Sequence, residues 1–180
     1  MKWYSAVSEN IVLKDAFEEC TSRLQQEVFD STDLVIAFVG SDFSESYDLI
    51  PQLVNEQFPN AVFLGCSGNG IIGDGREIEQ RPGFALTFAS MPGVFISPFH
   101  LMDKDLPDGD DSPQKWESLI GVQASSHPDF VILSDPFSMR VQNLISGLDY
   151  AYPGSSVIGG ISSGGSQPGT NALYLNDQYI

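Results

Sequence analysis

The feature that constrains the fold most is a pattern that occurs twice at a fixed distance. Phe137-Ser138, Tyr152-Pro153-Gly154 and Gly159 follow Phe43-Ser44, Phe58-Pro59-Asn60 and Gly65 at a common separation of 94 residues. A helical stripe obeys the same separation, with Tyr47, Ile50, Val54 and Phe58 matched by Val141, Leu144, Leu148 and Tyr152. The strand segment Asp129-Phe130-Val131-Ile132 echoes Asp33-Leu34-Val35-Ile36 at 96, so the loop after it is two residues shorter in the second copy. A chain repeating strand, helix and strand is directed to an internally duplicated α/β architecture. Each unit reads helix, strand, loop, helix, strand, glycine-rich loop and hairpin, giving mixed sheets covered by helices. The first unit is expected at about residues 10–101, the second at about 113–180, with an acidic connection at 103–111. By the offset the second unit would run on past Ile180, so the chain is expected to be the front part of a longer protein, with an open strand edge.

Taken in order, Val12, Leu13, Ala16, Phe17, Cys20, Leu24 and Val28 recur at helical spacing, separated by Lys14, Glu18, Glu19, Arg23 and Gln25. They predict an amphipathic helix with Cys20 on its core face. Residues 33–39 read as a strand apolar on both faces, as in a sheet covered by helices. After the loop at 40–44 comes a second helix, in which Pro51 lies in the first turn or makes a kink. Residues 61–64 form the next strand, and 84–89 and 94–99 flank Met91-Pro92-Gly93 as a β-hairpin. Trp116, Leu119 and Ile120 mark a short helix before the second copy, and 172–175 and 179–180 a second hairpin. The connection at 103–111 holds five aspartates without the alternating oxygen ligands and later glutamate of a calcium loop, so it reads as solvated.

Eight Lys and Arg against 24 Asp and Glu give a formal charge of −16, which repels nucleic acid and anionic lipid. No apolar run is long enough to span a bilayer, and no signal peptide is evident, so a cytoplasmic protein is expected. Cys20 and Cys66 stand 46 positions apart with no companions at metal-ligand spacing, which predicts reduced thiols and no metal. Gly68-Asn69-Gly70-Ile71-Ile72-Gly73 spells the dinucleotide pattern G-x-G-x-x-G. The context contradicts that reading, since Gly73-Asp74-Gly75 breaks any helix and no carboxylate stands near Met91 to Val94 for a ribose. Cys66 on a glycine turn has a nucleophile's setting, but catalysis needs a base and the chain offers only His100 and His127. No catalytic residue is assigned, and the motifs require no cofactor.

The repeat points instead to a ligand crevice at strand carboxyl ends. Ser41 and Asp42 on one side, with Ser134, Asp135, Ser138 and Arg140 on the other, suit a zwitterion: Arg140 for its carboxylate, an aspartate for its ammonium. Gly65, Cys66, Ser67, Gly68, Gly159 and Gly160 would add backbone amides. The plainer alternative makes Ser44 and Ser138 N-caps, Asp42 and Asp135 turn formers, and Arg140 a solvated helix residue.

Phe43-Ser44, the run from Phe58-Pro59-Asn60 through Gly65-Cys66-Ser67-Gly68-Asn69-Gly70-Ile71-Ile72-Gly73, then Gly75-Arg76-Glu77-Ile78-Glu79, Tyr152-Pro153-Gly154 and Ile158-Gly159-Gly160 together resemble the amino-terminal half of the FIST domain. The similarity spans roughly residues 33–180. The resemblance implies an intracellular sensory domain for small ligands such as amino acids, joined to a downstream signalling module or to a carboxyl-terminal FIST half. It also implies two alternatives: a haem-based nitric oxide sensor, with His100, His127 and Cys66 as candidate axial ligands, and a protein-interaction scaffold with no small ligand.

Overall fold

A computed structural model describes residues 1–24 and 31–180. Residues 25 and 28 of the predicted first helix lie outside the described residues. The chain forms β1 (Lys2–Ser8), α1 (Leu13–Leu24), β2 (Leu34–Gly40), a 3-10 helix (Ser41–Leu49), α2 (Ile50–Gln57), β3 (Val62–Gly68), β4 (Gly70–Gly73), β5 (Arg76–Glu79) and β6 (Phe84–Ser90). There follow α3 (Pro113–Ile120), β7 (Phe130–Ser134), α4 (Val141–Ala151), β8 (Val157–Ile161), β9 (Leu173–Leu175) and β10 (Gln178–Tyr179). It is a mixed α/β fold, as expected. Two compact units result, one of Met1–Ile96 with Ser162–Ile180 and the other of Ser97–Ile161.

In the first unit six strands lie in the order β1-β6-β2-β3-β9-β10. β1 and β2 both run antiparallel to β6, while β2 and β3 are parallel and joined by α2. The stripe predicted for α1 is buried at Leu13, Ala16, Phe17, Cys20 and Leu24. The Asn10 side chain accepts the Val12 N–H at 3.0 Å ahead of it, and Arg23 closes the last turn near the negative helix end. Pro51 falls in the first turn of α2, where its missing N–H costs nothing. These helices cover one sheet face, packing on Ala6, Val35, Ala37, Val39, Phe63 and Phe88. On the other face the β4–β5 hairpin lays Ile71 and Ile78 against Val7 and Ala85.

Several expectations need correction. β1 has no counterpart in the sequence reading. Its alternation is weak, and only its pairing with β6 identifies it. No hairpin forms over 84–99: both edges of β6 are taken, by β1 and β2, so 94–99 has no strand to join. The Val94 N–H still closes the turn onto Met91 O at 3.0 Å, but Phe95 is left 89% exposed. The glycine loops are largely strand, with 65–68 inside β3 and 159–161 inside β8. The loop expected at 40–44 is already helical from Ser41. The hairpin at 172–180 forms, but β9 pairs with β3 rather than with β8, so 162–180 joins the first unit. Asn176, at φ +54, locks that register by donating its N–H to Phe63 O at 2.9 Å and accepting the Phe63 N–H at 3.2 Å.

In the second unit α3 and α4 pack on the parallel pair β7–β8 around Trp116, Ile120, Phe130, Leu144, Leu148 and Tyr152. Tyr152 is buried in this cluster and donates its hydroxyl to Val122 O at 2.8 Å. Gly121, in the left-handed region at φ +79, ends α3 and donates to Glu117 O at 2.8 Å. Gly147 within α4 has a packing reason. A Cβ built there would lie 1.9 Å from the Trp116 ring.

Gly147→Ala therefore sets a helix-propensity gain of about 1 kcal/mol against displacement of the Trp116 indole. Overpacking of this kind costs about 1–3 kcal/mol, so urea unfolding followed by tryptophan fluorescence should give a lower midpoint for the variant.

Candidate functional site

The parallel register pairs Gly40 with Gly68, so β2 and β3 end side by side. Gly40 is required there by close approach: its N–H donates to Gly83 O at 2.8 Å, and a Cβ would sit 2.9 Å from that oxygen. Beyond Gly40 the chain enters the 3-10 helix with Ser41 half-buried and Asp42 exposed. Beyond Gly68 it turns through Asn69 into β4.

Ser67, 1% exposed, ties this end together. Its N–H donates to Ala172 O at 2.9 Å, its carbonyl accepts the Ser163 N–H at 3.1 Å, and its Oγ accepts the Ala172 N–H at 3.0 Å. The Tyr47 hydroxyl donates to Gly40 O at 3.4 Å. Asn69 donates its N–H to Ser163 Oγ at 3.1 Å. Gly164, at φ +99, lies so close that a Cβ on it would be 2.9 Å from Ser41 Cβ and 3.3 Å from Gly68 O. The loop at 162–165 thus covers the carboxyl ends of β2 and β3. Of the expected residues, Ser41, Cys66, Ser67 and Gly68 gather at this end, with Asp42 beside Ser41 facing solvent, while Gly65 lies midway along β3 opposite Ala37.

Gly65 makes room for an aromatic ring. It pairs with Tyr174, and a Cβ on Gly65 would meet Ala37 O at 2.7 Å and Tyr174 Cδ2 at 3.1 Å. Tyr174 stacks between Phe63 at 5.7 Å and Tyr179 at 5.9 Å. Its hydroxyl is buried with no hydrogen-bond partner among the described residues, and burial pushes its pKa up. Tyr47 and Tyr174 escaped the sequence reading as members of this end. The only signal for Tyr174 is the bare Gly65, which identifies its partner once the register with β9 is known.

Cys66 is 4% exposed, and burial pushes its thiol up to about 12. Cys20, fully buried on α1, is also raised to about 12 by burial first and by the neighbouring Glu19 carboxylate second. A nucleophile needs the thiolate, and burial in apolar surroundings works against it. His100 and His127 are exposed, whereas a haem ligand stands in an apolar pocket, so neither histidine fits an axial role. Among the described residues no group of His, Cys, Asp and Glu is placed to hold a metal ion.

The second unit holds Ser134, Asp135, Ser138, Arg140, Gly159 and Gly160. Ser134 and Asp135 are buried. Asp135 shapes the turn after β7: its Oδ2 accepts the Phe137 N–H at 3.2 Å, and its carbonyl accepts those of Ser138 at 3.4 Å and Met139 at 3.2 Å. Neither serine caps a helix, because Ser44 lies inside the 3-10 helix and Arg140 holds the N-cap position of α4. Arg140 is anchored to Asp103, donating from its backbone N at 2.9 Å and its Nε at 3.0 Å to Oδ1, with Nε also 2.9 Å from Oδ2. The guanidinium lowers the Asp103 pKa, and the carboxylate raises that of Arg140. The two terminal amino groups of Arg140 make no hydrogen bond among the described residues, and the side chain is 66% exposed. Gly159 stands close against the Ile132 carbonyl, at φ +149, and Gly160 faces open space.

Two clefts of the first unit open at the amino ends of β2 and β3, opposite the glycine-rich end. One, of about 310 Å³, is lined by Ser31, Asp33, Asn60, Val62 and Met91 among others. Its neighbour, of about 360 Å³, lies between the end of α2 and the β9–β10 turn.

A family model described as the FIST N domain matches residues 33–180. Two uncharacterised proteins from two strains of Mycobacterium tuberculosis are each 26% identical over 166 residues, covering 90% of this chain and 41% of their own length. The chain therefore spans less than half the length of these curated relatives.

The buried thiols set two expectations. Iodoacetamide at neutral pH should leave both cysteines unlabelled in the folded protein and label both in urea. Unfolded thiols ionise near the ordinary 9.0 while the folded ones hold their protons to about 12, so the unfolded state binds fewer protons in that window. Urea unfolding measured at successive pH values should show stability falling as pH rises from 9 toward 12.

Proposed function

The chain belongs to the FIST N domain family, a family of signal-transduction sensory domains, and on that premise we propose that it binds a small ligand of amino-acid type and catalyses no reaction. The observation that carries this reading is Arg140. Asp103 holds the guanidinium at Nε and leaves its two terminal amino groups without a hydrogen bond among the described residues, two residues along the chain from the exposed Ser138. A planar donor pair held in place matches a carboxylate two-pronged, with less side-chain entropy lost than for a free arginine. Ser138 adds a hydroxyl. The buried thiols, with their raised pKa values, support binding over catalysis.

The ligand's signal would pass to a downstream module or to a carboxyl-terminal FIST half, in keeping with relatives that extend well beyond the matched region. The charge of −16 favours small molecules and protein partners over nucleic acid. Two buried free cysteines suit the reducing cytoplasm proposed as its location.

Thermal-shift screening against the standard amino acids should reveal a stabilising ligand whose shift disappears in Arg140→Ala and is reduced in Arg140→Lys, which keeps the charge and loses the fork. An amino acid that stabilises wild type and Arg140→Ala equally would remove Arg140 from the site.

A further inference from the structure

The cleft between the end of α2 and the β9–β10 turn contains none of the residues assigned above. Its apolar floor is the half-buried Phe58, Ala61 and Val62, backed by the buried Val54 and Phe63. Val54 and Phe63 are 1% and 2% exposed and belong to the main core, and Phe58 packs its ring on Phe88 at 5.2 Å. The floor is thus a rigid extension of the core, and about 360 Å³ lies within the range of small-molecule sites.

The rim is polar. Asn55, Asn60 and Asp177 line it, and among the described residues their side chains make no hydrogen bond or ion pair. Asp177 is held at the rim because the preceding Asn176 is bound on both sides to Phe63. The adjoining cleft differs in this respect: its Asp33 carboxylate already accepts the Met91 N–H at 2.6 Å and the Ser31 hydroxyl at 3.2 Å.

The electrostatics favour one sign of ligand. No Lys, Arg or His lines the cleft, α2 ends at it and brings the negative end of its dipole, and Asp177 is a carboxylate. We propose that this cleft binds a small organic amine. Its ammonium is met by Asp177 and the side-chain carbonyls of Asn55 and Asn60, and its apolar body lies on Phe58, Ala61 and Val62. The site is independent of the amino-acid reading, since it uses other residues and recognises an ammonium where Arg140 recognises a carboxylate.

The test is a titration of the whole chain with phenethylamine, an apolar body carrying one ammonium, and with hydrocinnamate, a similar body carrying a carboxylate, followed by amide chemical shifts. Phenethylamine should give saturable shifts at residues 55, 60 and 177, and hydrocinnamate none. Asp177→Asn should weaken the amine about tenfold through loss of a charge-assisted contact, with unchanged circular dichroism. Asn55→Asp, on an exposed helix position, should tighten it, so the two variants move affinity in opposite directions on an intact fold. Absence of saturable shifts with the amine, equal binding of the anion, or an affinity indifferent to both substitutions would overturn the proposal.

Discussion

Everything in the first unit depends on the backbone hydrogen bonds of β2, a strand whose two edges must both be filled inside the protein. β6 arrives antiparallel on one side and β3 parallel on the other. Each of those strands carries a further neighbour, β1 on β6 and β9 on β3. Since an unpaired backbone group in a covered sheet costs about as much as a lost hydrogen bond, this requirement draws in segments from both ends of the chain. It also explains why the second unit is bounded at Ser97 and Ile161, between the strands β6 and β9 that the first unit claims.

The glycines make sense in the same terms. Gly40 meets the backbone of Gly83, Gly65 lies under the ring of Tyr174, Gly147 under Trp116, and Gly164 against Ser41 and Gly68. In each case the missing side chain lets another part of this protein come close, with no need of a phosphate or other ligand. The pattern G-x-G-x-x-G therefore carries sheet and hairpin geometry here: its glycines span the end of β3 and the whole of β4. Cys66 sits in the same environment, and the burial that makes it a good packing group holds its thiol protonated.

The exposed polar groups fall in different places from the glycines. Arg140 projects from the start of α4, anchored by an aspartate of the acidic connection. Asn55, Asn60 and Asp177 ring a cleft at the amino ends of β2 and β3. Ligand recognition of the kinds proposed uses the uncommitted side chains of the cleft and the terminal amino groups that the Asp103 pairing leaves on Arg140, because a group already bound within the fold must give up that bond before it can bind anything else.

Much of the local structure was legible in the chain itself. The apolar stripe of α1, the doubly apolar β2, the first-turn proline of α2, the short helix around Trp116 and the β9–β10 turn all follow from periodicity and from the special backbone preferences of proline, glycine and asparagine. Those signals act within a few residues, so sequence carries them directly. The family membership was legible too, from motifs standing at their distances. What only the tertiary structure decided was which strands pair. β1 became a strand because β6 was there to receive it, 94–99 remained irregular because β6 had no edge left, and 172–180 turned to β3 instead of β8. That Gly65 lies under Tyr174, and that Asp177 stands at a rim with Asn55, depends on contacts across more than a hundred residues, where no local propensity operates and the register of the sheet alone decides.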